Sequence, residues 1–218
     1  MASDSPRGYW RLGEAGGSTA ADFSGGNPGA YQGGVALGAP GAIAGDANTA
    51  AHVDGVDDKV SMGDPASGAL DFADDFSAEA WIKTSVNGER AFLSKRPSVG
   101  SLWQLTVTDD GGHVGEIRVN ASTGTMREVY GPPVRVDDGA WHHVVAAFDR
   151  DAGITVHVDG VSRFTAATTI GSIDNTGPFL VGKSTGYGYF SGEIDEVAVY
   201  PTALSAARVQ AHYSAGCC

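Results

Sequence analysis

Phe190-Ser-Gly-Glu-Ile-Asp-Glu-Val-Ala-Val-Tyr200 runs directly into Pro201-Thr-Ala-Leu-Ser205. Most of the stretch alternates polar and apolar residues, the period of a strand whose two faces meet different surroundings. It ends at a proline, which has no N–H for a sheet ladder. Ser205 then stands where it caps a helix over Ala206-Ala-Arg-Val-Gln-Ala-His-Tyr213, with Val209 and Tyr213 four apart on one face. The acids of the strand admit two readings, a catalytic strand or a structural and metal-binding one. Strict alternation puts Glu193 and Asp195 on one face and Glu196 on the other.

Outward from this stretch the chain is a series of short strands separated by turn signals. Tyr9–Leu12 and Asp58–Gly63 read as short strands. Phe76-Ser-Ala-Glu-Ala-Trp-Ile-Lys-Thr84 places Phe76, Ala78, Ala80 and Ile82 on one face and Ser77, Glu79, Trp81 and Lys83 on the other. Asn87-Gly88 suggests a hairpin from it to Ala91–Lys95. Ser101–Thr108 and Gly115–Asn120 form a second hairpin across Asp109-Asp-Gly-Gly112. Trp141–Asp149 and Gly153–Gly160 follow, then Pro178–Gly182. Residues 21–31 are dense in Gly, Asn and Pro and hold only turns, and 32–50 read mostly as loop. Short strands at about ten-residue spacing with one terminal helix describe an all-β, two-sheet antiparallel jelly-roll sandwich.

At 218 residues the chain is long for one domain, but single β-sandwiches reach this size. It reads as residues 1–8, a flexible leader; 9–215, one domain; and 216–218, a tail. The opening Met1–Pro6 lacks the charged and apolar regions of a signal peptide, so the chain reads as an excised module. Lys plus Arg number 14 against 26 Asp plus Glu, a formal charge of −12. That balance offers no basic surface to nucleic acid or to an anionic membrane. It suits a solvated extracellular protein or one that binds cations. No apolar run approaches the roughly 18 residues that span a bilayer. The only cysteines, Cys217 and Cys218, are neighbours, and a bond between them needs a strained ring.

Four segments together resemble the laminin-G-like, or concanavalin A-like, jelly-roll modules of bacterial surface and secreted proteins. They are Phe76–Lys83, Asp138-Gly-Ala-Trp-His-His-Val-Val-Ala-Ala-Phe-Asp149, Ile154–Gly160 and Gly192–Ser205, and they occur in the family's order. The resemblance implies a non-catalytic recognition or adhesion module within a larger secreted or bacterial-surface protein, with a glycan or cell-surface protein as partner. A structural spacer and a polysaccharide-degrading enzyme are the alternatives.

The enzyme reading rests on glycoside hydrolases of this fold, which set three acids along one strand so that two flank the scissile bond. Here Val197 and Ala198 stand where the third acid belongs, so no catalytic residue is assigned. The resemblance also implies a structural calcium ion between the strand aspartate and an early Asp-x-Ser-Gly loop. Asp195 matches the first, and Asp22-Phe-Ser-Gly-Gly-Asn-Pro-Gly29 the second. The expected ligands are the Asp22 and Asp195 side chains with the carbonyls of Asn27 and Gly29, since calcium takes hard oxygens. The alternative is an Asx-turn at Asp22 and a backbone-bonded Asp195.

His142 and His143 are adjacent on a strand, so they cannot chelate one metal together. No zinc motif or nucleophile elbow is present. Tyr187-Gly-Tyr-Phe190 places aromatics in a Gly-rich turn, where ring faces can stack on sugars. Tyr187 and Tyr189 are therefore candidate ligand-binding residues, joined by Trp103, Tyr130 and Trp81 if these face the same side; otherwise the rings fill the core.

Overall fold

The computed structural model describes residues 1–98, 100–166 and 170–217. A 3-10 turn at Ala2–Asp4 precedes β1 (Gly8–Trp10), β2 (Thr19–Ala20), β3 (Gly29–Gln32), β4 (Ala36–Pro40), β5 (Thr49–Asp54) and β6 (Lys59–Gly63). Then come β7 (Phe76–Lys83), β8 (Arg90–Lys95), β9 (Leu102–Asp110), β10 (His113–Ser122), β11 (Met126–Tyr130) and β12 (Trp141–Asp149). The last are β13 (Gly153–Val158), β14 (Val161–Ala166), β15 (Phe179–Val181), β16 (Gly188–Tyr189), β17 (Ser191–Tyr200) and helix α1 (Ala206–Cys217). The strands form two sheets. One has eight strands, in the order β14-β13-β12-β7-β17-β5-β4 with β1 also on β17. The other has nine, in the order β11-β10-β9-β8-β15-β6-β3-β2 with β16 on β8. This is the jelly-roll sandwich expected from the strand spacing.

Alternation sorts the core as the sequence requires. Phe76, Ala78, Ala80 and Ile82 of β7 and Ile194, Val197 and Val199 of β17 meet Trp103, Leu105, Val107, Ile117 and Val119 from the opposite sheet. Phe76 stacks on Phe148 with centroids 4.2 Å apart, and Trp103 packs edge-on to Phe72 at 5.4 Å. Burying a side chain of this size contributes about 1.5–3 kcal/mol.

Several expectations are corrected. Asn87-Gly88 does not close a hairpin: β7 pairs with β12 and β17, whereas β8 pairs with β9 and β15, so the connection crosses between sheets. Both strands are hydrophobic enough to line the same core from opposite sides, and that outweighs a local turn signal. Residues 21–31 and 32–50 hold strands as well as turns, β3 and β4, with a bulge at Gly38 (φ 86°). The second hairpin is as expected, with Gly111 and Gly112 both at positive φ. Helix α1 runs past Tyr213 to Cys217; Cys218 lies outside the described residues.

Helix α1 covers the outer face of the eight-stranded sheet. Val209 packs with Tyr9, Val145, Ala198, Tyr200 and Leu204, and Tyr213 stacks on Trp81 at 6.0 Å. A side chain at Gly216 would overlap the Trp81 ring. Trp81 is 2% exposed, so the helix removes it from the candidate ligand surface.

Beneath the helix lies Glu79, fully buried. His143 Nε2 is 2.5 Å from its Oε1, and His212 Nδ1 is 3.1 Å from both oxygens. His212 Nε2 also meets Asp4 Oδ2 at 2.7 Å, and Asp4 pairs with Arg208 at 2.5 Å. Carboxylates only accept, so both nitrogens of His212 donate and the ring is an imidazolium. Residues 1–8, read as a leader, are thus joined to α1 through Asp4, and Gly8 pairs with Val199.

Burial alone would raise the Glu79 carboxyl, but the bonds from His143 and His212 outweigh it and hold it at about 2. Burial opposes the His212 charge, but Glu79 and Asp4 raise its pKa above 6.5. Glu79 therefore contributes stability above its unfolded value of 4.5 that is lost as pH falls toward about 2. His212 contributes below pH 6.5 and loses its share as pH rises through its raised value. Urea unfolding across the acid range should show a loss of about 3 kcal/mol that Glu79→Gln does not show. At neutral pH, Glu79→Ala should cost about 3–5 kcal/mol, since it strands a buried imidazolium.

Candidate functional site

The outer face of the nine-stranded sheet is treated differently. On β9, Trp103, Leu105 and Val107 point inward, so Gln104, Thr106 and Thr108 point outward; on β10, Ile117, Val119 and Ala121 leave Arg118 and Asn120 outward. Register sets these side by side: Arg118 faces Thr106 and Tyr130, and Asn120 faces Gln104 and Glu128. The row is polar, yet Gln104, Thr106, Thr108 and Asn120 are fully buried and Arg118 is 2% exposed.

The reason is a network closed by the loop between β15 and β16. Gln104 Nε2 donates to Asn120 Oδ1 at 3.2 Å, and Asn120 Nδ2 donates to Glu128 Oε1 at 3.1 Å. Ser184 Oγ donates to Gln104 Oε1 at 2.6 Å. Arg118 reaches Glu89 at 2.7 Å, Asp110 at 3.2 Å and Glu128 at 3.6 Å, and donates to the Tyr187 hydroxyl at 3.0 Å. Its guanidinium lies 5.5 Å from the Tyr187 ring centroid, within cation–π range. Burial works against the Arg118 charge; Tyr187, Tyr130, Glu89 and Glu128 outweigh it and raise its pKa. Arg118 Nε is buried with no partner among the described residues.

Of the candidate ligand residues, the structure brings Tyr187 and Tyr130 together around Arg118. Tyr130 also stacks on His113 at 3.9 Å, and both tyrosines are half-buried. Tyr189 lies on β16, its ring 3.9 Å from Lys183 Nζ. Trp103 does not belong: it is fully buried among Phe72, Phe76, Phe148 and Phe179 because its strand phase turns it inward. Arg118, Gln104 and Asn120 escaped the sequence reading, although their alternation with apolar neighbours on β9 and β10 was the available signal. The half-buried Tyr187 and Tyr130 rings are the groups of this patch open to a ligand, and such ring faces stack on pyranose rings; the buried guanidinium and amides beneath support them.

The proposed calcium ligands do not fit a cation. Asp22 Oδ1 accepts from Tyr9 N, Ser24 N and Ser24 Oγ, and Oδ2 accepts from Gly26 N and Asn27 N. Those donors present hydrogens, not oxygens, to the carboxylate, the arrangement of an Asx-turn. The Asn27 carbonyl accepts from Trp10 Nε1, and Gly29 pairs with Ala20 in the nine-stranded sheet. Asp195 shares none of these partners. Its Oδ2 accepts from Ala42 N at 2.8 Å and its Oδ1 from Glu196 N at 2.9 Å.

Glu196 is the second surprise. A bulge between Asp195 and Ala198 sets it at φ 51°, so it leaves the core face and joins Asp195 on the outer side. Asn48 Nδ2 lies 3.4 Å from both carboxylates. Glu196 bonds the Tyr9 hydroxyl and Arg11, and with Arg11, Asp46, Phe23 and His212 it lines a cavity of about 320 Å³. Asp195 is fully buried beneath the 41–48 loop.

A family model described as the concanavalin A-like lectin/glucanases superfamily matches residues 54–210, well over half the chain. No curated protein sequence matches. Among solved structures, domain 4 of an extracellular arabinanase from Geobacillus stearothermophilus, in complex with arabinotriose, aligns with a TM-score of 0.73 at 17% identity over 94% of this chain and 97% of that one. The botulinum neurotoxin serotype D ligand-binding domain, in complex with N-acetylneuraminic acid, aligns with a TM-score of 0.72 at 13% identity over 97% of this chain and 51% of that one. Trypanosoma rangeli sialidase with sialic acid gives 0.66 at 13% identity over 94% and 32%. The chain thus spans nearly all of the arabinanase domain, half of the toxin domain and a third of the sialidase. At these identities the likeness is one of fold, and that fold serves binding domains and enzymes alike.

Burial pushes the Asp195 carboxyl up to about 7; the Ala42 N–H opposes the shift and the Glu196 charge adds to it. Protonated Asp195 therefore contributes stability below its unfolded value of 3.8 that is lost as pH rises through about 7. Asp195→Asn, neutral throughout, should gain about 2–4 kcal/mol relative to the parent protein between about pH 4 and pH 8, measured by urea unfolding at each pH. A difference that stays flat with pH would contradict this.

Proposed function

The chain belongs to the concanavalin A-like lectin/glucanase superfamily, and from that membership we propose that it is a non-catalytic recognition module that binds a glycan on the outer face of its nine-stranded sheet. The observation that carries this reading is the buried polar floor around Arg118, flanked by the half-buried rings of Tyr187 and Tyr130. Its amides and guanidinium are held by one another and bond Ser184 and Tyr187, so the loop that carries the Tyr187 ring is set in place before any ligand arrives. Preorganisation of that kind lowers the entropic cost of binding. The ligands named for two structural neighbours, arabinotriose and N-acetylneuraminic acid, place sugars on this fold elsewhere.

The module acts outside the cell within a larger secreted or surface protein, holding that protein against a glycan or a glycosylated partner. A charge of −12 and the absence, among the described residues, of any helix long and apolar enough to cross a membrane accord with this role. The enzyme reading is disfavoured by access. Asp195 is sealed under Ala42 and Asn48, and Glu196 is held by Arg11 and Tyr9. The next outward position of β17 is Ala198. A glycosidase needs two carboxyl groups open to one bond.

A glycan array spanning arabinan oligomers, neutral hexose polymers and sialylated glycans should give hits. Tyr187→Ala and Tyr130→Ala should each weaken the best hit about tenfold, or about 1.4 kcal/mol, by isothermal titration calorimetry. Uniform blanks on folded protein would leave a structural spacer, and release of reducing ends from any arrayed polysaccharide would sink the non-catalytic assignment.

A further inference from the structure

The calcium ion implied by the family resemblance has no home between Asp22 and Asp195, but a different carboxylate cluster has what they lack. The loop between β5 and β6 reads Asp54-Gly-Val-Asp-Asp58. One carboxylate oxygen from each of Asp54, Asp57 and Asp58 lies within 4.8 Å of the others. Two oxygens have local work. Asp54 Oδ1 accepts from Val56 N at 2.8 Å and Asp57 N at 3.4 Å, and Asp58 Oδ2 accepts from Asp54 N at 3.0 Å.

The remaining oxygen of Asp58 is the independent signal. Asp58 is 3% exposed, and its Oδ1 is buried with no hydrogen-bond partner among the described residues. Leaving a buried acceptor unmet costs about 1–3 kcal/mol, and more for a charged group. Neither does any lysine, arginine or histidine form an ion pair with Asp54, Asp57 or Asp58 among the described residues. Lys59, next in the chain, has its Nζ 5.8 Å from the Tyr189 ring centroid instead. Three mutually close carboxylates, one with a buried oxygen lacking any donor, are thus left without an ion-pair partner among the described residues.

We propose that Asp54, Asp57 and Asp58 form a calcium site at the β5–β6 loop, with Asp58 as its buried floor and Asp54 and Asp57 closing it from the solvent side. Calcium is the fitting ion on chemistry: it takes carboxylate oxygens in a flexible geometry and fills its remaining positions with water, whereas magnesium demands a near-ideal octahedron and is rarely held by a dedicated cage of side chains. The ion gives the orphaned Asp58 oxygen a partner and cancels the repulsion among the three acids. It also stiffens the connection between β5 of one sheet and β6 of the other. Solvent completes its coordination, so the affinity belongs with extracellular modules, at about 10⁻⁴–10⁻³ M.

The test is calorimetric titration of calcium chloride into the full chain stripped with EDTA and desalted, with thermal melts alongside. Wild type should bind one ion in that range and gain about 3–10 °C in Tm at about 10 mM calcium. Asp57→Asn, at an exposed position where folding is not at stake, should weaken binding at least tenfold. Asp58→Asn should abolish it and should melt higher than the stripped parent, because it removes an unpaired buried charge. Asp22→Asn should leave calcium binding unchanged. No heat and no Tm gain with wild type, or binding that survives both Asp57→Asn and Asp58→Asn, would overturn the site. Loss of binding in Asp22→Asn with retention in Asp57→Asn would move the ion to the early loop. Equal affinity for magnesium chloride would overturn the choice of calcium.

Discussion

The structure turns on a seam along one edge of β17. Its other edge is paired with β7 on both sides of the bulge, but this one is shared: β5 covers Ser191–Ile194 and β1 covers Val197–Val199. Between the two partners, at Asp195 and Glu196, the backbone has no strand to bond. The bulge falls there, and the Asp195 carboxylate stands in for a strand by accepting from the backbone N–H groups of Glu196 and Ala42. Asp195 accepts from Ala42 N, Glu196 from Arg11 and Tyr9, and Asn48 stands within reach of both. An unmet backbone group in a buried sheet is costly, so acids serving as acceptors at a gap are a structural need before they are a chemical opportunity. Positive φ at a non-glycine residue is tolerated at Glu196 because its side chain is held from two directions.

From that seam the two outer faces diverge. The eight-stranded sheet hides its outer face under α1, and the polar groups trapped there are linked in series from Arg208 through Asp4 and His212 to Glu79, which His143 also bonds. Among the described residues no helix lies over the nine-stranded sheet. Its outer side chains bond one another across β9, β10 and β11, with the loop of Ser184 and Tyr187 laid on top. One face is closed by a packed helix and the other by polar satisfaction, and the second leaves the rings of Tyr130 and Tyr187 partly exposed above its buried polar row. The asymmetry explains why the aromatic candidates separated as they did. Trp81 went under the helix and Trp103 into the core, while Tyr130 and Tyr187 stayed at the polar face.

Much of this was legible from periodicity. The faces of β7, the hairpin at Gly111-Gly112, the opposite headings of His142 and His143, and the sandwich itself follow from a two-residue period and turn chemistry. What failed had identifiable physical causes. Asn87-Gly88 carries a strong local signal, but two hydrophobic strands gained more by facing each other across the core than by pairing. Glu196 was assigned by strict alternation, which a single inserted residue breaks, and nothing in Asp-Glu-Val announces a bulge. The glycine-rich β3 and β4 have too few side chains to show a period at all. Arg118 was hidden for a different reason: charged residues alternating on a strand ordinarily face water, and only the loop from Ser184 to Tyr187 makes this one buried.

The acidity of the chain has the same lesson at the level of single carboxylates. Asp22, Glu79, Glu196 and Asp195 are all acids, and their residue type alone would nominate any of them for a metal or for catalysis. Their partners differ in kind. Asp22 is ringed by N–H groups of its own loop, so its charge is already spent on holding a turn. Glu79 is matched by imidazole, and Glu196 by guanidinium and a phenol. Asp195, with two amide donors and Glu196 as neighbour, sits where burial nearly forbids its charge. A cation adds stability only where acceptors outnumber donors, which none of these four settings offers. An excess of acids in the composition therefore says little until each is assigned its donors. The useful quantity is the number of carboxylate oxygens left over, and it is a property of the fold.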